Sequence, residues 1–393
     1  MIDLTPLNPP DLSPPWQHFM LKEIFEQPAV VHRCLLTYLD QNWHPSQSEA
    51  SSIAARSRTS PFRFPFSIDG YTHVHQIQIL ACGTSLHAGL IGQFWLEQIA
   101  GISTQVRSAS EFQVAPLPWM DQTLTIAITQ SGETADTLAA LDLAKQQRLQ
   151  PACLGITNQP QAAIAQRVNH LLPTLAGAEM GVAATKTFLS QLMVFCLLAL
   201  DLAYARGVLS QARLLHLIEA FQKLPDQIEA LLNQQNDRIA RLATQFTETQ
   251  SMIVLGSGLH YPIALEGALK LKETTYIHAE GYAAGEFLHG PIALLDQTIP
   301  VLALMPADAT YRKLLTSIRK AKSHQVSVTG IMTTDDSEAA RLLHHQITIP
   351  QTDPLLTPLL AVIPLQLLAY HIAIQRGLNV DKPRYLEKTL VGE

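Results

Sequence analysis

The sequence predicts an α/β protein made of two similar lobes, each a parallel sheet flanked by helices. Three observations carry this. Short apolar strands run into polar turns and then into helices, repeatedly, which is the order of a parallel α/β sheet. The pattern of the first half returns after a shift of about 175 positions, which lays Gly83 on Gly258 and Thr134 on about Thr310. A chain of 393 residues also exceeds what one hydrophobic core usually supports.

Residues 1–16 are Pro-rich and polar and read as an irregular tail. His18 to Cys34 has helical apolar spacing broken at Pro28, so residues 1–44 are a tail and a helix ahead of the lobes. Residues 44–66 hold many Ser, Arg and Pro and read as a loop. Organised structure then begins with the strand Gln76–Ala81, the turn CGTS and a helix over Leu86–Ile99. Thr123–Ile128 is a second strand, leading through TQSGETADT into a helix to about Gln147, and Ala152–Thr157 is a third. In the second half, Ser251–Leu255 leads into Gly256-Ser257-Gly258 and the helix Ile263–Lys272. Pro300–Leu304 precedes a helix near Tyr311–Lys322, and Gln325–Thr329 follows. The lobes span 45–215 and 240–375, joined through the Gln-rich helical stretch 211–245, and 376–393 form a carboxyl-terminal tail.

Composition excludes several functions. Hydrophobic residues make up 47% and charged residues 15%, too apolar for a disordered chain. The net charge of -6 offers no basic footprint for nucleic acid. Cys34, Cys82, Cys153 and Cys196 form no C-x-x-C pair, which argues against zinc ribbons and disulfide frameworks. The amino terminus lacks the features of a secretory signal, so a reducing cytoplasm is expected. Phe188–Ala205 and Thr357–Ile374 approach membrane-span length, but Asp201, Gln191, Pro364 and His371 interrupt them. They read as buried helices.

Two turns carry the chemistry. Cys82-Gly83-Thr84-Ser85 and Thr129–Thr134 each end a strand and open a helix, where free N–H groups and the helix dipole favour anions. Hydroxyls of Ser85, Thr129, Ser131 and Thr134 add donors, giving a phosphate cradle without Lys or Arg. Such residues are also ordinary helix caps. No G-K-[ST] follows, so this is not a P-loop. The second lobe has Met305-Pro306-Ala307-Asp308-Ala309-Thr310 at the matching place, so one anion site per chain is expected. The stretch Ala264–Pro291 holds Glu266, Glu273, His278, Glu280, Glu286 and His289, groups able to move protons, and spacing alone does not choose among them. Cys82 reads as a small buried residue rather than a nucleophile. A lysine of the terminal DKPRYLEKTLVGE would form a Schiff base if the tail folds over the site; sequence physics alone favours a frayed tail.

Taken together, the runs HFMLKEIFEQP (18–28), ILACGTSLHAG (79–89), ITQSGETADTLAAL (128–141) and GAEMGVAATKTF (177–188) resemble the isomerase half of the glucosamine-6-phosphate synthases, the glutamine–fructose-6-phosphate aminotransferases. So do YPIALEGALKLKETTYIHAEGYAAGEFLHGPIALLD (261–296), VIPLQLLAYHIA (362–373) and DKPRYLEK (381–388). The resemblance covers nearly everything from residue 18 onward. It implies two sugar-isomerase (SIS) domains, each doubly wound and flavodoxin-like. It implies phosphate binding by Ser85, Thr129, Gln130, Ser131 and Thr134, and sugar contacts at Thr84 and Val182. Glu273 matches the carboxylate that moves a proton between C1 and C2. His289 matches a ring-opening histidine that in the family reaches over from a neighbouring subunit, and Lys388 the Schiff-base lysine. A homodimer with a shared site follows, and no metal or organic cofactor is expected.

Three departures stand out. Residues 1–17 leave no room for the family's glutaminase domain, so a separate glutaminase subunit or free ammonia is the expected nitrogen source. Leu288 replaces a lysine and Glu387 a small alanine beside the reactive lysine. The expected activity is interconversion of fructose 6-phosphate and glucosamine 6-phosphate. Deamination of glucosamine 6-phosphate and plain ketose–aldose isomerisation are alternatives of the same class. A non-catalytic sugar-phosphate-binding regulator is the rival of another class, without the DNA-binding helix-turn-helix usual there.

Overall fold

The computed structural model describes residues 12–40, 43, 60–64, 73–116, 120–146, 152–333 and 337–388. The readings of 1–11, most of 44–66 and 389–393 lie outside them. Two five-stranded, all-parallel sheets form the frame. The first contains β1 (Gln76–Ala81), β2 (Ser103–Ser108), β3 (Thr123–Ile128), β4 (Ala152–Thr157) and β5 (His170–Pro173), in the order β2-β1-β3-β4-β5. The second contains β6 (Ser251–Gly256), β7 (His278–Ala283), β8 (Val301–Met305), β9 (Val328–Met332) and β10 (His345–Thr348), in the order β10-β9-β8-β6-β7. Read from the other edge, the second order matches the first. Both are the flavodoxin-like doubly wound arrangement, as expected.

The helices are α1 (Phe19–Phe25), α2 (Gln27–Tyr38), α3 (Gly83–Gln98), α4 (Ala109–Val114), α5 (Ala135–Gln146) and α6 (Lys186–Arg206). They continue with α7 (Gln211–Ala243), α8 (His260–Thr275), α9 (Tyr311–Lys322), α10 (Ser337–Leu342) and α11 (Thr357–Gln375). The broken helix expected over 18–34 is two helices, with Pro28 in the first turn of α2, where its missing N–H costs nothing. α3 starts at Gly83 rather than Leu86, so CGTS is partly the helix's own first turn. β9 lies at Val328–Met332 rather than 325–329, because Gln325 turns out of α9 at φ 61. β2 and β7 carry no apolar run, since both are half-exposed edge strands.

Strand side chains alternate between two cores. From β1 and β3, Ile77, Ile79, Ala81, Leu124, Ile126 and Ile128 face a large core that both lobes share. Met252, Val254, Leu302 and Leu304 face the same core from the second sheet, whereas Ile253, Leu255, Val301 and Ala303 face a separate outer one. α6 and α11 run through the shared core. Of their most apolar stretches, 100% and 89% of residues are buried, so both membrane-length helices are satisfied inside the chain.

Candidate active site between the lobes

In the order β2-β1-β3, connections leave β1 and β3 in opposite directions, and the crevice outside their carboxyl ends is where such sheets bind ligands. The turns Cys82–Ser85 and Thr129–Thr134 stand on its two sides. Gly83 takes φ 53 as the chain turns into α3, a left-handed conformation that favours glycine. Its counterpart Gly258 takes φ 55. At Gly132 (φ 71) a side chain would also meet Ala162 Cβ at 2.4 Å, so the turn packs directly on that side chain.

A cavity of about 290 Å³ opens at this crevice, lined by Thr84, Ser85, Gln130, Ser131, Thr134, Val182 and Lys388, together with Cys82, Thr187, Gln191 and Glu387. Seven residues singled out from sequence thus meet on one surface. Thr129 lies just beneath, its hydroxyl 2.6 Å from that of Thr134 and 3.4 Å from that of Ser131. Each of the two contacts in this chain of three hydroxyls uses one proton, so one of the three protons is left over. Ser85 Oγ accepts from Gln191 Nε2 at 3.0 Å, which leaves its own proton free to donate. The matching turn of the second lobe carries an anion of its own. There the Asp308 carboxylate accepts from Thr310 N (2.7 Å) and Thr310 Oγ1 (2.6 Å).

Glu273 is not among the residues lining this cavity; its side chain, 21% exposed, packs on Lys270. Its Oε2 is 2.6 Å from Lys270 Nζ, which donates to Thr84 Oγ1 at 3.1 Å. Lys270 is fully buried and also lies 3.2 Å from Glu266, whose other oxygen contacts His87 Nδ1 at 2.7 Å. Burial alone would lower the Lys270 pKa, but the two carboxylates hold it above the usual lysine value. Burial would raise Glu266, and Lys270 and His87 outweigh it. Glu266 belongs to the acid–base stretch read from sequence. Lys270 was not singled out, since a lysine on a helix ordinarily reads as solvated.

Lys388 enters the cavity from the tail, which is tied down. Asp381 accepts from the amides of Phe19 (3.0 Å) and Met20 (2.9 Å), and the Arg384 guanidinium stacks 4.1 Å above the Tyr276 ring. Lys388 Nζ donates to Glu179 Oε2 at 2.7 Å and to the Gly181 carbonyl at 2.5 Å. Sequence reasoning missed Glu179; its only signal was its place in the run GAEMGVAATKTF. His289 is exposed on the turn Glu286–His289 and does not reach this cavity.

The SIS-domain family model matches residues 70–201 and 245–376. A glutamine–fructose-6-phosphate aminotransferase (isomerizing) from a Synechocystis species is 49% identical over 388 residues, and one from Thermosynechococcus vestitus 48% over 384. Each alignment covers 96% of this chain but 60% of the relative, so the chain spans about 60% of the length of these curated relatives. The solved carboxyl-terminal domain of glucosamine-fructose-6-phosphate aminotransferase from Francisella tularensis superposes with TM-score 0.83 at 32% identity, covering 95% of this chain and all of that one. The chain belongs to the SIS-domain family and matches the carboxyl-terminal domain of such an aminotransferase over that domain's whole length.

Proposed function

We propose that this chain interconverts fructose 6-phosphate and glucosamine 6-phosphate at the crevice between its lobes. The observation that carries this is the convergence of Lys388 with Thr84, Ser85, Gln130, Ser131, Thr134 and Val182 on one cavity. The substrate's phosphate docks on the starts of α3 and α5, held by amides and hydroxyls; local dipoles suffice despite the net charge of -6. Lys388 Nζ bonds to the ketose C2 as the C2 oxygen leaves as water. The imine acidifies the neighbouring carbon, and Glu273 carries a proton between C1 and C2. The Lys270 ammonium, between Glu266 and Glu273, faces the charge that develops there. Ammonia, free or from a separate glutaminase, takes the place of the lysine nitrogen at C2. His289 opens the sugar ring in a neighbouring copy, a role supported by its exposure away from its own cavity. The protein works in the cytoplasm as a homodimer.

The test is a two-direction assay: glucosamine 6-phosphate formation from fructose 6-phosphate with ammonium, and its breakdown without. We expect turnover with ammonium. Silence in both directions from folded protein sinks the reading, and breakdown alone replaces it with deamination. Fructose 6-phosphate should also raise the melting temperature; no shift at millimolar ligand removes the cradle assignment.

A further inference from the structure

Two buried carboxyl groups that the reaction above does not use lie beside Lys388, Glu179 in direct contact and Glu23 through the Gly181 backbone. The Lys388 side chain is 8% exposed and that of Glu179 is 0% exposed. Glu179 is fixed by three donors besides the lysine: Thr185 N (2.9 Å) and Thr187 N (3.1 Å) on Oε1, and Thr187 Oγ1 (2.7 Å) on Oε2. Glu23, from α1, is 2% exposed and accepts from the amides of Met180 and Gly181, the residues just after Glu179. A Cβ at Gly181 would stand 2.9 Å from Glu23 Oε2 and would push the carboxyl aside. Gly181 in turn gives its carbonyl to Lys388.

We infer that Glu179 and Glu23 are positioning residues for Lys388, Glu179 supplying the counter-charge that fixes the amine at the cavity wall and Glu23 clamping the backbone that makes the second contact. This rests on Lys388 being the imine-forming amine. Burial alone would raise the Glu179 carboxyl, but the Lys388 charge and its hydrogen bonds outweigh it and hold Glu179 at about 2. Burial and the Glu179 charge push Glu23 up to about 8. Glu179 is thus the carboxyl whose charge faces the amine, while Glu23 meets only backbone amides. The other charged groups around this seat are Lys186 and Lys22, both paired with Glu26 (2.6 and 3.0 Å), and Glu387 beside Lys388 in the cavity.

The two carboxyls should respond differently to the same isosteric change. Glu179→Gln removes a charge, and its amide nitrogen would oppose the ammonium. Glu23→Gln alters a group that contacts backbone amides and not the amine. Competitive labelling of the Lys388 amine with acetic anhydride across pH, read by mass spectrometry, reports its protonation without using the sugar. We expect the labelling midpoint to fall in E179Q, which loses the counter-charge, and to hold in E23Q. An unmoved midpoint in E179Q, or equal shifts in both variants, overturns the inference. If E179Q does not fold, melting temperatures decide: K388M strands the Glu179 charge, so E179Q added to K388M should raise stability, and a further loss is the overturning result. Borohydride trapping of fructose 6-phosphate on wild-type Lys388 tests the underlying chemistry separately. A lysine that titrates as expected but traps no sugar keeps the seat and removes the imine.

Discussion

Glu273 and Lys270 sit three residues apart on α8, and only one of them was visible beforehand. A carboxylate in an acid–base stretch invites a catalytic reading. A lysine does not, because its ordinary place is a solvated helix face. What buries Lys270 is the first turn of α3, which brings Thr84 and His87 from 180 or more positions away. Asp201 was legible only as an interruption of an apolar run. It is buried in α6, accepts a hydrogen bond from Ser60 (2.6 Å), and burial pushes its carboxyl up to about 8. The folded state thus keeps a proton that the unfolded chain gives up near pH 4. The cost to stability grows as pH rises from about 4 to about 8 and is constant above. Asp201→Asn removes that cost. Its stability advantage over wild type should widen across this range, by up to about 1.4 kcal/mol per pH unit, in thermal melts at pH 5.5 and 8.5. Parallel profiles would show that Asp201 ionises freely.

At the scale of elements, β1, β3 and β4 could be read directly because central parallel strands are buried on both faces and so are continuous apolar runs. Edge strands escaped for the opposite reason. The duplication reaches into packing: Gly92 in α3 and Gly267 in α8 lie 175 positions apart, and each lets a long apolar helix cross closely. A Cβ at Gly92 would lie 2.6 Å from the Phe195 ring of α6, and one at Gly267 2.6 Å from Leu365 Cδ1 of α11. Gly92→Ala and Gly267→Ala should each cost ~1–3 kcal/mol in urea denaturation. Losses under about 0.5 kcal/mol at either site would mean that the crossing has slack.

For the whole molecule, the shared core makes the two lobes one folding unit around the cavity, since both sheets, α3, α6, α8 and α11 contribute to it. The position of His289 gives the homodimer reading a direct test. In a mixture of His289→Ala and Glu273→Ala chains, a heterodimer regains one intact site if the histidine acts across the interface. Random reassortment then restores roughly a quarter of wild-type activity. If each variant is inactive alone and the mixture stays inactive after exchange, His289 serves its own chain or none.

The sequence by itself determined the two-lobe parallel frame, the duplication and the hydroxyl-rich turns, because strand periodicity and turn chemistry are local. The resemblance added the roles proposed for Glu273, His289 and Lys388. Only the tertiary structure decided that Lys270 is a buried ammonium and that Glu179 and Glu23 form the seat of Lys388. It also decided that Glu273 is paired with the Lys270 ammonium. The physical reason is the same in each case: the charge state and orientation of a side chain depend on which distant segment excludes water from it.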